Sequence, residues 1–599
     1  MAEYLHPGVY VEEYDSGAVP MQGVSTSTAG FVGYAERGPV VGQPQFVTSF
    51  ADYKRIYGGY LSQAKYGDTR YLPYAVEQFF LNGGSRAYIM RVADPKAQCA
   101  KAASGVLEVK AANPGAWGDM VRVTVAPASK AKTQVLEANG ADLLLKNPEG
   151  FNAGDVVELF DGTKSEYLTV KSALDKTITL DAAPTLQIAD ATIGTAKFIR
   201  TCELNVQTVF GDQVEAYENV SINPYSANYI GNAAAGSKLA VFTVNPQAAP
   251  AAAPAATKAK KAEDGKDAKK EEPAPAPAAA PAASIVPYDL CGGLEKSLTI
   301  ALAGGSDGSV GKVDAATYVG TDNGPGNRTG LQAFIENSSV SIMLIPGITD
   351  ATVQANLVAF CENKGSCFAI LDAPIQAKTT DDLAAFRDKF DSSYAALYAP
   401  WVEMLDGDSR RPAYFPPSGC MAGIYARTDN ERGVYKAPAN ETVSGCTGLS
   451  CLYNDAEQDM LNPIGVNLIR SFTGRGIRVW GGPTLSSNGL WKYVSVRRLF
   501  IYVEESIKAN TNWVVFEPNS ETLWLRVTQT ITSFLAGCWR DGALAGSSTD
   551  QAFFVECGLT TMTQDDIDNG RLICSIGIAP VKPAEFVIFR ITQKTAYSG

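Results

Sequence analysis

Three consecutive pieces decide the fold class: Ser341-Ile342-Met343-Leu344-Ile345-Pro346, then residues 350–365 (DATVQANLVAFCENKG), then Phe368-Ala369-Ile370-Leu371-Asp372. The outer two are short apolar runs without a polar face, the pattern of strands buried on both sides. The middle piece is too long for a strand, opens on Asp350 and closes near Gly365, as a capped helix does. Strand, helix and strand in that order imply a right-handed crossover in a mostly parallel sheet. Downstream, Thr380-Asp381-Asp382 opens another helix and Tyr394–Tyr398 is a further strand. Residues 290–480 therefore read as one α/β domain.

Working outward, residues 23–95 repeat the theme. Ser49 caps a helix with Asp52 three residues on, Tyr71–Leu81 is a helix stopped by Gly83-Gly84, and Ala87–Val92 is a strand. Residues 96–220 lose helical periodicity. Short strands at Val121–Val125, Val156–Phe160, Thr177–Leu180 and Lys197–Arg200, spaced by turn signals, predict an all-β insert, a sandwich or small barrel. Residues 221–289 form a connector, and within it 247–284 has no aromatic or branched aliphatic residue, so it cannot bury a core and reads as a solvated spacer. Residues 481–585 hold two long helical patterns, Leu490–Ile507 and Asn519–Leu535, the second capped by Asn519. Strands follow at Ala552–Glu556 and Leu572–Ile578.

The chain of 599 residues is 46% hydrophobic and 19% charged, the make-up of several globular domains. Its single histidine, His6, removes most hydrolase chemistry, because Ser-His-Asp, Cys-His and HExxH sites need histidine in a structured pocket. A net charge of −12 argues against direct nucleic-acid binding. Eleven cysteines, an odd and scattered set, read as free thiols of a reducing compartment. No basic-then-apolar leader opens the sequence and no run approaches a membrane span, so folding in a cytoplasm without membrane insertion is expected.

Searching for a site by motif yields little. Gly311-Lys312 has Ser306 where a phosphate loop needs glycine and Val313 where it needs Ser or Thr. Cys361/Cys367 and Cys446/Cys451 lack zinc-knuckle spacing. Ser418, after Pro416-Pro417, stands where a helix begins, the place where a nucleophile would lie, but no base accompanies it and a plain cap is expected. No cofactor, metal or catalytic residue is assigned. The termini are more informative. Val9, Tyr10, Val11 and Glu12 follow Pro7-Gly8 as a strand-like arm. Phe586, Val587, Ile588, Phe589, Arg590 and Ile591 follow Pro580 and Pro583, with both alternate faces largely apolar. Such a strand exposes unpaired backbone and needs cover, from this chain's own sheet or from a neighbour's.

Read together, several stretches resemble contractile tail sheath proteins of phage tails and extracellular contractile injection systems. They are Pro7–Glu13, Asn113–Gly118, Val214–Ser221, Asn462–Asn467, Gly474–Gly481, Tyr493–Leu499, Asp568–Arg571, Gly577–Pro580 and Pro583–Val587. The likeness runs through the whole chain except the Ala/Pro/Lys stretch. It implies a multi-domain α/β protein: an N-terminal arm (1–22), an α/β part (23–95), a subtilisin-like but non-cleaving α/β middle domain (290–480), an α+β sheath domain facing an inner tube (481–585), and a C-terminal arm (586–599). The all-β insert (96–220) and the Ala/Pro/Lys segment depart from the simplest members and are expected to decorate the outer surface.

The resemblance further implies hexameric rings stacked around an inner tube, with baseplate and tail-terminator or cap proteins as partners. Such sheaths assemble in the bacterial cytoplasm in a high-energy extended state and contract to drive the tube through a target envelope, in a phage tail or a released or anchored particle. Arg497, Arg498, Arg526 and Arg540 are the candidate tube-facing residues. Residues 481–599 carry about ten basic and eleven acidic side chains, so nearly all the negative charge lies upstream. The rival readings are a non-contractile oligomeric surface protein with an inactive subtilisin-like domain, and a hydrolase working at Ser418 with a non-histidine base.

Overall fold

The apolar runs of the sequence become neighbours in one sheet. A computed structural model describes residues 21–188, 197–224, 226–245, 286–312 and 314–590. The expected N-terminal strand at Val9–Glu12, the 247–284 spacer and Ile591 lie outside them. Two units are present, one of residues 1–93 with 310–599, the other of residues 94–309.

The first unit is built on eight strands in the order Gln45–Val47, Ala87–Val92, Ala29–Tyr34, Ile342–Leu344, Phe368–Asp372, Ala395–Ala399, Val466–Phe472, Gly476–Val479. The six inner strands run parallel, and the two edge strands pair antiparallel. Side chains alternate between two cores. Phe31, Ile342, Leu344, Phe368, Ile370 and Tyr398 face one core with the helices Phe50–Tyr57, Leu72–Leu81 and Ser418–Arg432. Val32, Met343, Ala369, Leu371 and Leu397 face the other with the helices Ala351–Lys364 and Thr380–Arg387. Burial on both faces explains the uninterrupted apolar runs.

Local signals hold where they were read. Asp350 accepts from Thr352 and Val353 N–H and opens the Ala351–Lys364 helix, which Gly365 closes at φ +70°. Ser49 accepts from Asp52 N–H in the same way. Gly419 and Gly423 let the Ser418–Arg432 helix lie against Leu72–Leu81, since a Cβ at either would stand 2.5 Å from the carbonyl oxygen of Ala75 or Phe79.

The expected domain boundaries are redrawn. Residues 23–95 and the 290–480 domain share this one sheet, because Ala29–Tyr34 pairs in parallel with Ile342–Leu344. The insert is longer than 96–220. Its four-stranded sheet (Gln213–Val220, Glu203–Phe210, Arg122–Ala128, Leu298–Ala301) ends on a strand beyond the connector, and Ala240–Val244 pairs with Leu107–Ala111. A seven-stranded antiparallel sheet from Lys132 to Thr201 completes this all-β unit around Leu143, Leu145, Val157, Leu159 and Ile199.

Towards the C-terminus, the helices Val494–Asn510 and Glu521–Arg540 bury Leu499, Val503, Val527, Ile531 and Leu535 together with Phe553 of a two-stranded sheet, Phe553–Cys557 against Cys574–Ile578. Ser520, not Asn519, is the residue before the second helix. Asn519 is drawn away by the Trp524 indole, which donates to its Oδ1 at 2.6 Å.

Ser418 is fully buried and serves the fold. Its Oγ donates to Asp372 Oδ2 at 2.7 Å, its backbone N–H to Oδ1 at 2.8 Å, and Gly347 N–H to Oδ2 at 2.9 Å. The carboxylate at the end of a central strand thus pins a helix start and a turn together. Burial pushes the Asp372 carboxyl up to about 6, only partly opposed by these donors. In Asp372→Asn, whichever way the amide is turned, its NH₂ faces a donor. A loss of about 2–4 kcal/mol is expected, read as a lowered urea midpoint; an unchanged midpoint would refute the clamp.

Candidate assembly interface

The segment leading out of the N-terminal arm lies along one helix. Val24 N–H donates to Ser506 Oγ at 3.1 Å, and Asn510 Nδ2 donates to Gln22 O at 2.8 Å. At Thr26 the grip is ionic. Arg498 donates to both oxygens of Asp429, at 2.9 and 2.6 Å, and to Thr26 O at 2.9 Å, while Thr26 Oγ1 donates to Asp429 Oδ2 at 2.6 Å. Arg498 and Asp429 are each 3% exposed, and the guanidinium also stacks 4.7 Å from the Tyr425 ring centroid.

The C-terminal arm is rooted beside the same helix. Glu585 accepts from Asn462 Nδ2 at 2.5 Å on one oxygen, and from Lys492 Nζ at 3.1 Å and Tyr493 OH at 2.9 Å on the other. Burial alone would raise the Glu585 carboxyl, but these donors outweigh it and hold it below the usual glutamate range. A groove of about 610 Å³ borders the root and is walled by Trp480, Gly481, Asp459 and Pro463. Beyond the root, no side-chain hydrogen bond or ion pair to another described residue holds Phe586–Phe589. Phe586, Val587, Ile588 and Phe589 are 77%, 68%, 79% and 84% exposed. Among the described residues Phe586–Arg590 pairs with no strand, so its ladder groups find no partner within this chain.

A second open surface is also present. Among the described residues no third strand pairs with either outer edge of the two-stranded sheet, and Phe554 on its outer face is 52% exposed. Leu559, between the two strands, is 68% exposed.

The four arginines separate into two pairs. Arg497 is 5% exposed, bonded to Glu504 at 3.0 Å and set among the rings of Tyr394 and Trp491. With Arg498 it is turned into the protein, so neither side chain is placed to face a tube. The reason is that the helix starts inside the protein: every residue from Val494 to Leu499 is buried, so both arginines are enclosed whichever side they point to. Arg526 and Arg540 are exposed on the Glu521–Arg540 helix, Arg526 against the Trp513 ring at 4.4 Å.

Glu585, Asn462 and Tyr493 were visible only as parts of separate motifs, Pro583–Val587, Asn462–Asn467 and Tyr493–Leu499. Their convergence is a tertiary fact. Thr26 and Asp429 carried no signal in the sequence at all.

Two outcomes follow from these roots. Asp429→Ala leaves the Arg498 charge buried and unpaired, and a loss of about 3–5 kcal/mol in unfolding free energy is expected. A loss under about 1 kcal/mol would show that the pair is not the grip. For Glu585 the sign is that of a depressed carboxyl: its contribution is present above the unfolded pKa and is lost as pH falls through the lower, folded value. Proteolysis at residues 586–590 should therefore accelerate upstream, towards Pro583, only below the ordinary glutamate range; Glu585→Ala should show the faster pattern already at neutral pH.

The same part of the chain is the part that resembles known proteins. The model for the phage tail sheath protein central domain matches residues 311–485, and that for the phage tail sheath C-terminal domain matches residues 486–594. A putative prophage major tail sheath protein of Pseudomonas aeruginosa (strain UCBPP-PA14) is 27% identical over 198 residues, 32% of this chain and 49% of that protein. The chain thus spans about half the length of that curated relative. A chain of the anti-feeding prophage baseplate is 33% identical, covering 47% of this chain and 82% of that one, with a TM-score of 0.39. The sheath complex of an extracellular contractile injection system, PVC, in its contracted state covers 99% of both chains at 20% identity and a TM-score of 0.50, a likeness of fold. Two adjoining models of the phage tail sheath protein, running from the parallel sheet through the pinned C-terminal root, place residues 311–594 of this chain in the phage tail sheath protein family.

Proposed function

We propose that the chain is the polymerising subunit of a contractile sheath, stacked as hexameric rings around an inner tube and joined through its terminal arms. The observation that carries this reading is the abrupt change at Glu585: a pinned root followed directly by an exposed apolar segment with an unpaired backbone. Main-chain pairing into a neighbour's open two-stranded sheet covers both liabilities at once. The same logic extends to the N-terminal arm, including Val9–Glu12. The doubly wound sheet with Ser418 at a helix start supports a subtilisin-like body whose serine does structural duty.

Contraction then needs no nucleotide. Subunits held by arms rotate as rigid bodies from an extended lattice to one with better interfaces, each contributing a few kcal/mol to the stroke. Exposed Arg526 and Arg540 take the tube-facing role. A baseplate supplies the trigger and a terminator or cap closes the far end. Assembly takes place in the bacterial cytoplasm, and the product is a phage tail or a tail-like particle.

Removing residues 586–599 tests the reading directly. Folded, soluble subunits that no longer form tubes under the electron microscope are the expected result, with the melting temperature within a few degrees of the full chain. Tubes of normal length from the truncated chain would refute arm exchange.

A further inference from the structure

Outside the arm roots, the described chain places cysteines together with no role assigned to them. Cys361 Sγ and Cys367 Sγ lie 3.5 Å apart, but both are buried in the core where no oxidant reaches. Cys557 and Cys574 differ. They stand directly opposite each other at one end of the two-stranded sheet, Cys557 paired in register with Cys574 as Phe553 is with Ile578. Alternation along the strands puts Cys557 on the face of Phe553 and Val555, and Cys574 on the face of Ile576 and Ile578, the face that packs on the Glu521–Arg540 helix. Both thiols are only partly buried. Directly opposed residues of an antiparallel pair have Cα atoms about 4.5–5.5 Å apart, inside the roughly 4.4–6.8 Å that a disulfide spans.

We propose that Cys557 and Cys574 are an oxidative modification site, forming a cross-strand disulfide when the chain meets a small disulfide oxidant. The chemistry is thiol–disulfide exchange. One cysteine loses its proton to solvent and its thiolate attacks a sulfur of oxidised glutathione, expelling one glutathione thiolate. The second cysteine, deprotonated in turn, attacks the protein sulfur of that mixed disulfide and expels the other. Two protein thiols lose two electrons, one glutathione disulfide gains them, and two glutathione thiols are produced.

Burial pushes the Cys574 thiol up to about 12, with Cys557 beside it adding to the shift, and burial raises Cys557 too. The thiolate fraction is therefore small near neutrality, so exchange is slow there and speeds up as pH rises. The product closes a covalent ring through residues 558–573 and ties together a sheet that, at two strands, is marginal by itself. That this also stiffens the surface receiving neighbouring arms rests on the sheath reading above; the disulfide itself does not.

The test uses the full-length native chain, treated with oxidised glutathione at mildly alkaline pH, alkylated, and mapped without reduction. The expected result is a Cys557–Cys574 linked peptide pair lighter by two hydrogens, forming faster at higher pH, with Cys361 and Cys367 unlinked. The oxidised chain should melt a few degrees above the reduced one, a gap that closes in both Cys557→Ser and Cys574→Ser. Two results would overturn the proposal: glutathione adducts at these positions without the internal link, or both thiols recovered free after the partly exposed control Cys451 has been converted. Tube formation by the oxidised chain reports on the sheath reading alone.

Discussion

A guanidinium with almost no exposure survives in this protein because one carboxylate meets it along two hydrogen bonds. Arg498 and Asp429 form that pair, and the terminal half of the molecule is organised around it. Desolvating both charges costs several kcal/mol each, and only bidentate geometry with further donors and acceptors offsets it. Thr26 supplies the remainder, its carbonyl accepting from Arg498 and its hydroxyl donating to Asp429. Three segments distant in sequence are thereby fixed at one point. The contact continues inward, since Arg498 stacks on Tyr425, whose hydroxyl lies 2.7 Å from that of Tyr398 on a central strand.

This gives a path along which a pull on the N-terminal arm reaches the parallel sheet without crossing a flexible joint. The C-terminal arm meets the same element from its other end, for Lys492 and Tyr493, which hold Glu585, immediately precede the Val494–Asn510 helix. Both arms are therefore referred to one rigid block. On the proposed arm-joined lattice, a load on either arm would reach the body through this block. Packed interiors resist deformation, so the block itself is the part that keeps its shape.

How much of this was legible follows from the range of each interaction. The run Ser341–Pro346, the Asp350 cap and Gly365 act within a few residues, so the α/β character and the helix limits could be read directly. The partner of Ala29–Tyr34 could not, because a parallel strand pair leaves no mark on the sequence between its members, and the 94–309 unit intervenes. The insert's far boundary was missed for the same reason: Leu298–Ala301 returns to pair with Arg122–Ala128 across the spacer. Arg497 and Arg498 misled because charge suggests surface, and only the ring cage and Asp429 reveal why these two are inside. Glu585 stood in view as one more acidic residue near the end of the chain, and its weight comes entirely from Asn462, Lys492 and Tyr493.

An exposed run such as Phe586–Phe589 would ordinarily invite edge-to-edge aggregation, and the chain just before it limits that hazard. Pro580 and Pro583 carry no amide hydrogen, so a ladder propagating back from the arm meets missing donors on the body side of Glu585. Glu585 adds a charge held in place by three partners, which a misplaced strand would have to strip away. Pairing is thus confined to residues beyond the root, where a partner edge must arrive with space for alternating apolar side chains. On the proposed arm exchange, the two-stranded sheet of another copy is the partner, with no third strand on its edges among the described residues and Phe554 exposed. The same features that leave the arm unpaired within one chain therefore restrict what may pair with it between chains.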